Sequence, residues 1–161
     1  MCAMAREISA GGVVLREISG VWHVALIEPQ TESVPAKVLE KRALLCLPKG
    51  LLDSGEKPQA TAIREVLEET GVRAEVITKL ADIKYTYTRS WEDGERVFKI
   101  VSFYLMRYVS GEIDDLWPAM RIEVKGALWV PLTEAASQMA YSGERNVLQQ
   151  AQDYLRRHPL V

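Results

Sequence analysis

The chain is predicted to fold as α+β: a mixed sheet with helices packed on its faces. Three observations predict this. Several segments are rich in β-branched and aromatic residues and are bounded by turn formers, as strands are. Others carry helix start and stop signals or apolar residues near helical spacing. The length, 161 residues, suggests a single domain spanning 1–161, large enough to bury a core without staples.

The elements follow in order. "EISAGGVVLRE" and "VWHVALIEP" read as two strands of a hairpin turning at Ile18-Ser19-Gly20. "QTESVPAKVLEKR", residues 30–42, is polar, holds a proline, and reads as a loop. "ALLCLP" reads as a short apolar strand ending at Pro48. The glycine-bearing turn "KGLLDSGEKP" follows. Pro58 suits the first turn of a helix, where its missing N–H costs nothing. That helix runs to about Thr70, and Gly71 is its stop. "RAEVITKLADIKYTYTR" and "ERVFKIVSFYLMRYV" read as long strands joined at "WEDG". "GALWVPL" is a further strand, "TEAASQMA" a short helix, and "GERNVLQQAQDYLRRH" a longer one. No repeat or low-complexity run interrupts them.

Composition narrows the function classes. Hydrophobic residues make up 48% and charged residues 26%, an ordinary globular balance. Twenty basic against 22 acidic residues give a net charge of −2, which argues against general nucleic-acid binding. Cys2 and Cys46 offer no disulfide framework or zinc spacing. His23 and His158 lie far apart and read as a half-exposed strand residue and a surface helix-end residue. "MCAMAREISA" does not read as a signal peptide, and no apolar run reaches the ~18 residues of a membrane span. The default expectation is a cytoplasmic, reducing location.

The stretch "REVLEETG" carries the strongest chemical hint. At about 100° per residue, with Glu65 at zero, Glu68 falls near −60° and Glu69 near +40°. All three acids share one helix face. Ala62, Ile63, Val66, Leu67 and Thr70 fall roughly between +60° and +200°, the side expected to pack on the sheet. Like charges at these spacings cost roughly 0.2–0.5 kcal/mol per pair. They also sit toward the helix end where the macrodipole disfavours them. One explanation is a solvated acidic face partly neutralised by Arg64 and Arg73. The other is a divalent cation, because Mg²⁺ takes one to three carboxylates, water and a substrate phosphate. The preceding turn favours the cation. Its carbonyls can add a ligand, and a Glu56–Arg64 pair would tie turn to helix. Glu56 also suits a simpler role, complementing the helix dipole.

"GLLDSGEKPQATAIREVLEETGV", Gly50 to Val72, resembles the signature box of the Nudix hydrolase family. Gly50, Glu56, Arg64, Glu65, Val66, Glu68, Glu69, Gly71 and Val72 all stand where the box fixes them. The rest of the chain agrees in outline with that family's α/β/α sandwich, with its mixed central sheet and loop–helix–loop catalytic box. The resemblance implies a hydrolase for a nucleoside diphosphate linked to another group, using Mg²⁺ or Mn²⁺. It implies Glu65, Glu68, Glu69 and the Gly50 carbonyl as metal ligands. Glu56 and Arg64 would fix the geometry of the box, with Glu56 near a second metal. Water would attack one phosphorus of a P–O–P bridge, with Glu68 or Glu69 accepting its proton. Family members often place a further glutamate outside the box, and Glu123 stands at a comparable place. Its simpler reading is a surface acid beside Arg121 and Lys125.

"LPKG", residues 47–50, resembles the run leading into the box of Nudix hydrolases of dinucleoside and diphosphoinositol polyphosphates. Lys49 would then meet a phosphate. A nucleobase can stack on aromatics, and Tyr87, Trp91 and Trp117 are candidates near turns. Trp22 and Trp129 sit in apolar strand patterns and read as packing. The expected partner is a small nucleotide, best matched by a dinucleoside polyphosphate. A nucleoside triphosphate, an ADP-sugar, or nucleotide binding without cleavage are the alternatives. Oligomeric state has no signature in the sequence.

Overall fold

The computed structural model describes residues 4–30, 44–88 and 94–160. The polar stretch after Gln30 and the "WE" of the expected hairpin turn, Trp91 included, lie outside them. The described strands are β1 (Ala5–Ile18), β2 (Val21–Pro29), β3 (Lys49–Leu51), β4 (Val72–Thr88), β5 (Arg96–Gly111) and β6 (Val124–Pro131). The helices are α1 (Pro58–Thr70), α2 (Leu132–Gln138) and α3 (Ser142–Arg157), with a 3-10 turn at Pro118–Ile122.

The six strands form one sheet in the order β4-β5-β1-β2-β6, with β3 added against β1. Most pairs are antiparallel, but β1 runs parallel to β5 from Ala5–Val97 to Leu15–Arg107. The sheet is therefore mixed. Residues 9 to 15 of β1 are buried without interruption, because both faces of the sheet are covered. On one face Val13, Leu15, Val101, Phe103 and Leu105 meet Val147, Leu148 and Ala151 of α3 and Ala135 of α2. On the other, Ala10, Val14, Tyr104 and Met106 meet Ala62 and Val66 of α1. That is an α/β/α sandwich. Trp22 and Trp129 pack against these two cores from their edges.

Two sequence expectations need correction. "ALLCLP" is not a strand. Leu45 and Cys46 make only isolated bridges, to Met139 and Ile27, and the regular strand begins after Pro48, at Lys49. The run is apolar because it passes through the core: Leu47 is fully buried. The second correction concerns the phase of α1. Its buried residues are Thr61, Ala62, Val66, Glu69 and Thr70, whereas Ile63 is exposed. On the same wheel, the buried arc runs from about −40° to +140°. The acidic face is thus turned partly inward.

The ends of α1 follow local chemistry. Pro58 opens the helix. Gly71 closes it with φ 83°, its N–H donating to the Leu67 carbonyl at 2.9 Å. A Cβ there would lie 2.5 Å from the Glu112 carbonyl oxygen. Both the backbone angle and the space require glycine.

Candidate active site

The turn before α1 is fixed by a carboxylate–guanidinium fork. Arg64 Nε donates to Glu56 Oε2 and Nη2 to Glu56 Oε1, both at 2.9 Å. Nη2 also donates to the Leu51 carbonyl at 3.0 Å. Glu56 Oε1 further accepts from the Asp53 N–H at 3.1 Å and the Thr61 hydroxyl at 2.5 Å. Those bonds, Arg64 first and Thr61 next, hold the Glu56 carboxyl down at about 2. The result is a loop stapled to the helix that carries the other acids.

Those acids differ in surroundings. Glu69 is buried, and its Oε1 accepts the Lys49 N–H at 2.7 Å. Burial pushes its carboxyl up to about 8, against the pull of that bond and of Lys49, with Glu65 and Glu123 adding to the rise. Glu65 is also raised, first by burial and then by the charges of Glu68 and Glu123 against the pull of Arg64. Glu65 lies directly under Gly50. A Cβ at Gly50 would fall 2.1 Å from the Glu65 carboxyl carbon. Only glycine lets the backbone of β3 rest on that carboxylate. Arg64 Nη1 donates to Glu65 Oε1 at 2.9 Å and Glu68 Oε2 at 3.1 Å.

Among the described residues, no three His, Cys, Asp or Glu side chains already converge as a cation cage. Glu65 and Glu68 are turned onto Arg64 instead. The donor set nevertheless fits a hard divalent cation: three carboxylates and a backbone carbonyl, all oxygen. Glu65 and Glu69 are carboxylates whose charge the protein alone disfavours, which a cation would relieve.

Two clefts adjoin at Lys49. The first, about 500 Å³, is lined by Lys49, Glu69 and Glu123 with Gln30, Cys46 and Tyr141. The second, about 460 Å³, is lined by Lys49, Tyr85, Phe103, Tyr141 and Glu144. Burial opposes the charge on Lys49, yet Glu144, Tyr85, Glu69 and Cys46 together hold its pKa above the ordinary lysine value. The Cys46 thiol is pushed up to about 12 by burial and then by Glu144.

The structure thus brings Lys49, Glu69 and Glu123 to one cleft, with Gly50 and Glu65 beside it and Glu56 and Arg64 behind. Glu68 lines a smaller hollow of about 230 Å³ on its far side, together with the exposed Trp117. Tyr87 lines neither cleft at Lys49; its hydroxyl bonds to the Glu7 carboxylate. Trp91 lies outside the described residues. His23 bonds to the Val21 carbonyl, and His158 stacks on Tyr154.

Three cleft residues escaped the sequence reading: Tyr85, Tyr141 and Glu144. Tyr85 had a signal, since it precedes Tyr87 by two residues and shares its strand face. Glu144 had one too. It precedes Val147, Leu148 and Ala151 at the spacing of the buried stripe of α3, where a charged residue is unexpected.

The chain is 39% identical over 150 residues to "Putative mutator protein MutT4" of Mycobacterium tuberculosis, covering 92% of this chain and 56% of that protein. It is 30% identical over 102 residues to "8-oxo-(d)GTP phosphatase" of Mycolicibacterium smegmatis, covering 63% and 28%. The chain thus spans about half or less of the length of these relatives. Among solved structures, the fold resembles an Ap4A hydrolase of C. elegans in a binary complex. The TM-score is 0.71 at 20% identity, over 94% of this chain and 98% of that one. A family model described as NUDIX domain matches residues 8–151, nearly the whole described fold, and so the chain belongs to the Nudix family.

Proposed function

We propose that this chain is a divalent-cation-dependent pyrophosphohydrolase acting on a nucleoside diphosphate linked to another group, best matched by a dinucleoside polyphosphate. One observation carries the reading: Glu69 of α1 lines the same cleft as Lys49, with Glu65 beside it under Gly50, so a cation and a polyphosphate can be bound together. Nudix hydrolases generally use divalent metal ions. Bound between Glu65, Glu68, Glu69 and the Gly50 carbonyl, Mg²⁺ or Mn²⁺ would neutralise phosphate charge and acidify an attacking water.

The remaining work falls to this chain's residues. Lys49 meets phosphate oxygens as a fixed positive charge. Glu56 and Arg64 hold the loop in register with α1. A carboxylate must accept the proton of the attacking water, and Glu69 and Glu123 both line this cleft. The adjoining cleft, with Tyr85 and Tyr141 on its walls, offers aromatic surface to a nucleoside. Two clefts joined at one lysine suit a substrate with a group on each side of its phosphate chain.

A second substrate reading has its own support. The relative from M. smegmatis is named for a nucleoside triphosphate substrate, so a (deoxy)nucleoside triphosphate is the competing choice. The test is a turnover panel with Mg²⁺ or Mn²⁺, resolved by chromatography, using the unaltered protein and Glu69→Gln. Faster cleavage of diadenosine tetraphosphate than of nucleoside triphosphates supports the first reading, and the reverse order supports the second. No turnover of any substrate by the unaltered protein would leave only a nucleotide-binding module.

A further inference from the structure

The segment Leu47–Gly50 delivers both the Lys49 side chain and the Gly50 carbonyl to the site. Its amides are held in an unusual way. The Leu47 N–H donates to Glu144 Oε1 at 2.7 Å. Pro48 has no N–H, and its carbonyl accepts from the Gly12 N–H at 3.2 Å. The Lys49 N–H donates to Glu69 Oε1 at 2.7 Å. Two buried glutamates on helices at opposite faces of the sheet, Glu69 on α1 and Glu144 on α3, therefore hold successive amides of one short segment.

Their situations differ. Glu69 belongs to the acids that a cation would engage. Glu144 stands apart from that group, in the first turn of α3, and is 4% exposed. Packing alone does not call for a carboxylate there, since Val147, Leu148 and Ala151 continue the same stripe as apolar residues. Burial lifts the Glu144 carboxyl to about 7, against the pull of Lys49 and of the Leu47 bond. A buried acid so placed is costly unless its hydrogen bond is needed.

We propose that Glu144 is a positioning residue: by accepting the Leu47 N–H it fixes where the Lys49 side chain meets phosphate, without itself touching the reacting atoms. The inference rests on the phosphate-binding role given to Lys49 above. It assigns α3, which contributes nothing to the acidic box, a part in polyphosphate binding.

The test is a double-mutant cycle on Glu144→Leu and Lys49→Met. It is read by calorimetric binding of inorganic tripolyphosphate in Mg²⁺, with thermal melting recorded for every variant. Lys49→Met is expected to weaken binding about tenfold, and Glu144→Leu by a similar factor when Lys49 is present. In the Lys49→Met background the Glu144→Leu loss should shrink to under about twofold, while its effect on melting persists. Glu144→Gln keeps an acceptor for Leu47 and should stay within about twofold of the unaltered protein. If Glu144→Leu fails to fold, Glu144→Asp, one methylene short of Leu47, replaces it in the cycle. Additive losses, a Glu144→Gln no better than Glu144→Leu, or no tripolyphosphate binding by the unaltered protein would each overturn the inference. Absence of hydrolysis with tripolyphosphate binding intact would overturn the hydrolase reading alone, because the cycle is read by binding.

Discussion

At Gly50 one missing methyl group decides the site. The Glu65 carboxylate occupies the space a Cβ would need. Gly50→Ala is expected to cost the fold under about 1 kcal/mol, because only the flexible end of a side chain must yield, and to push Glu65 off its position. Urea denaturation checks the first effect, and loss of Mg²⁺-dependent turnover checks the second. Glu144 gives a pH signature. Its folded carboxyl is raised to about 7 from an ordinary 4.5, so the folded state binds the proton more tightly than the unfolded chain. Its burial therefore costs increasing stability as pH rises from about 4.5 to about 7, and that stability returns as pH falls through the same window. Glu144→Gln should flatten this part of the stability profile, measured by denaturant midpoints at pH 5 and pH 7.5. An unchanged slope would refute the assignment. Neither residue announces its role by type. Gly50 is legible because it belongs to a recognisable box. Glu144 stands out only as a charge in an apolar stripe, and its role does not show, because the partner that makes it matter, Leu47, is remote in sequence and adjacent only after folding.

At the scale of elements, α1 was largely legible, since Pro58 and Gly71 mark its ends chemically. Its phase was not. Ile63 and Leu67 drew the expected buried arc toward themselves, but the helix turns Glu69 inward because the Lys49 amide is there to meet it. "ALLCLP" shows the same limit. An apolar run signals burial, and burial alone does not say whether the chain pairs as a strand. β4 separates two neighbouring aromatics in a way the strand pattern left open. Tyr85 lines the cleft beside Lys49, whereas Tyr87 bonds to Glu7. Under the proposed function, Tyr85→Ala should raise KM about tenfold with little change in kcat, since stacking is worth about 1–3 kcal/mol per base. Tyr87→Ala should leave KM within about twofold. Steady-state kinetics on both variants checks the contrast, and equal effects would remove the second cleft from the account.

The whole molecule places its acids at the junction of sheet, loop and helix. Because the fold gathers those acids with the Gly50 carbonyl into one place, a cation binding among them should stabilise the folded state. Mg²⁺ or Mn²⁺ at a hundred times its Kd should add about 2.7 kcal/mol, seen as a rise in Tm. Glu69→Gln should abolish most of that rise, and chelation should reverse it in the unaltered protein. A Tm indifferent to both cations would count against the metal site. The fold class was readable from strand and helix signals, and the sandwich from the family resemblance. The strand order was not readable, because pairing between distant segments leaves no local mark.

That order has a consequence for the chain as it is made. β1 leaves the ribosome before β5, so one of its edges stays unpaired until the partner reaching Gly111 has followed. Until then the run Ser9 to Leu15, buried in the finished fold, is exposed beside open backbone groups, the condition that invites sticking between nascent copies. Assembly of this sheet should therefore be slow for its size and should gain from a chaperone that shields the early hairpin.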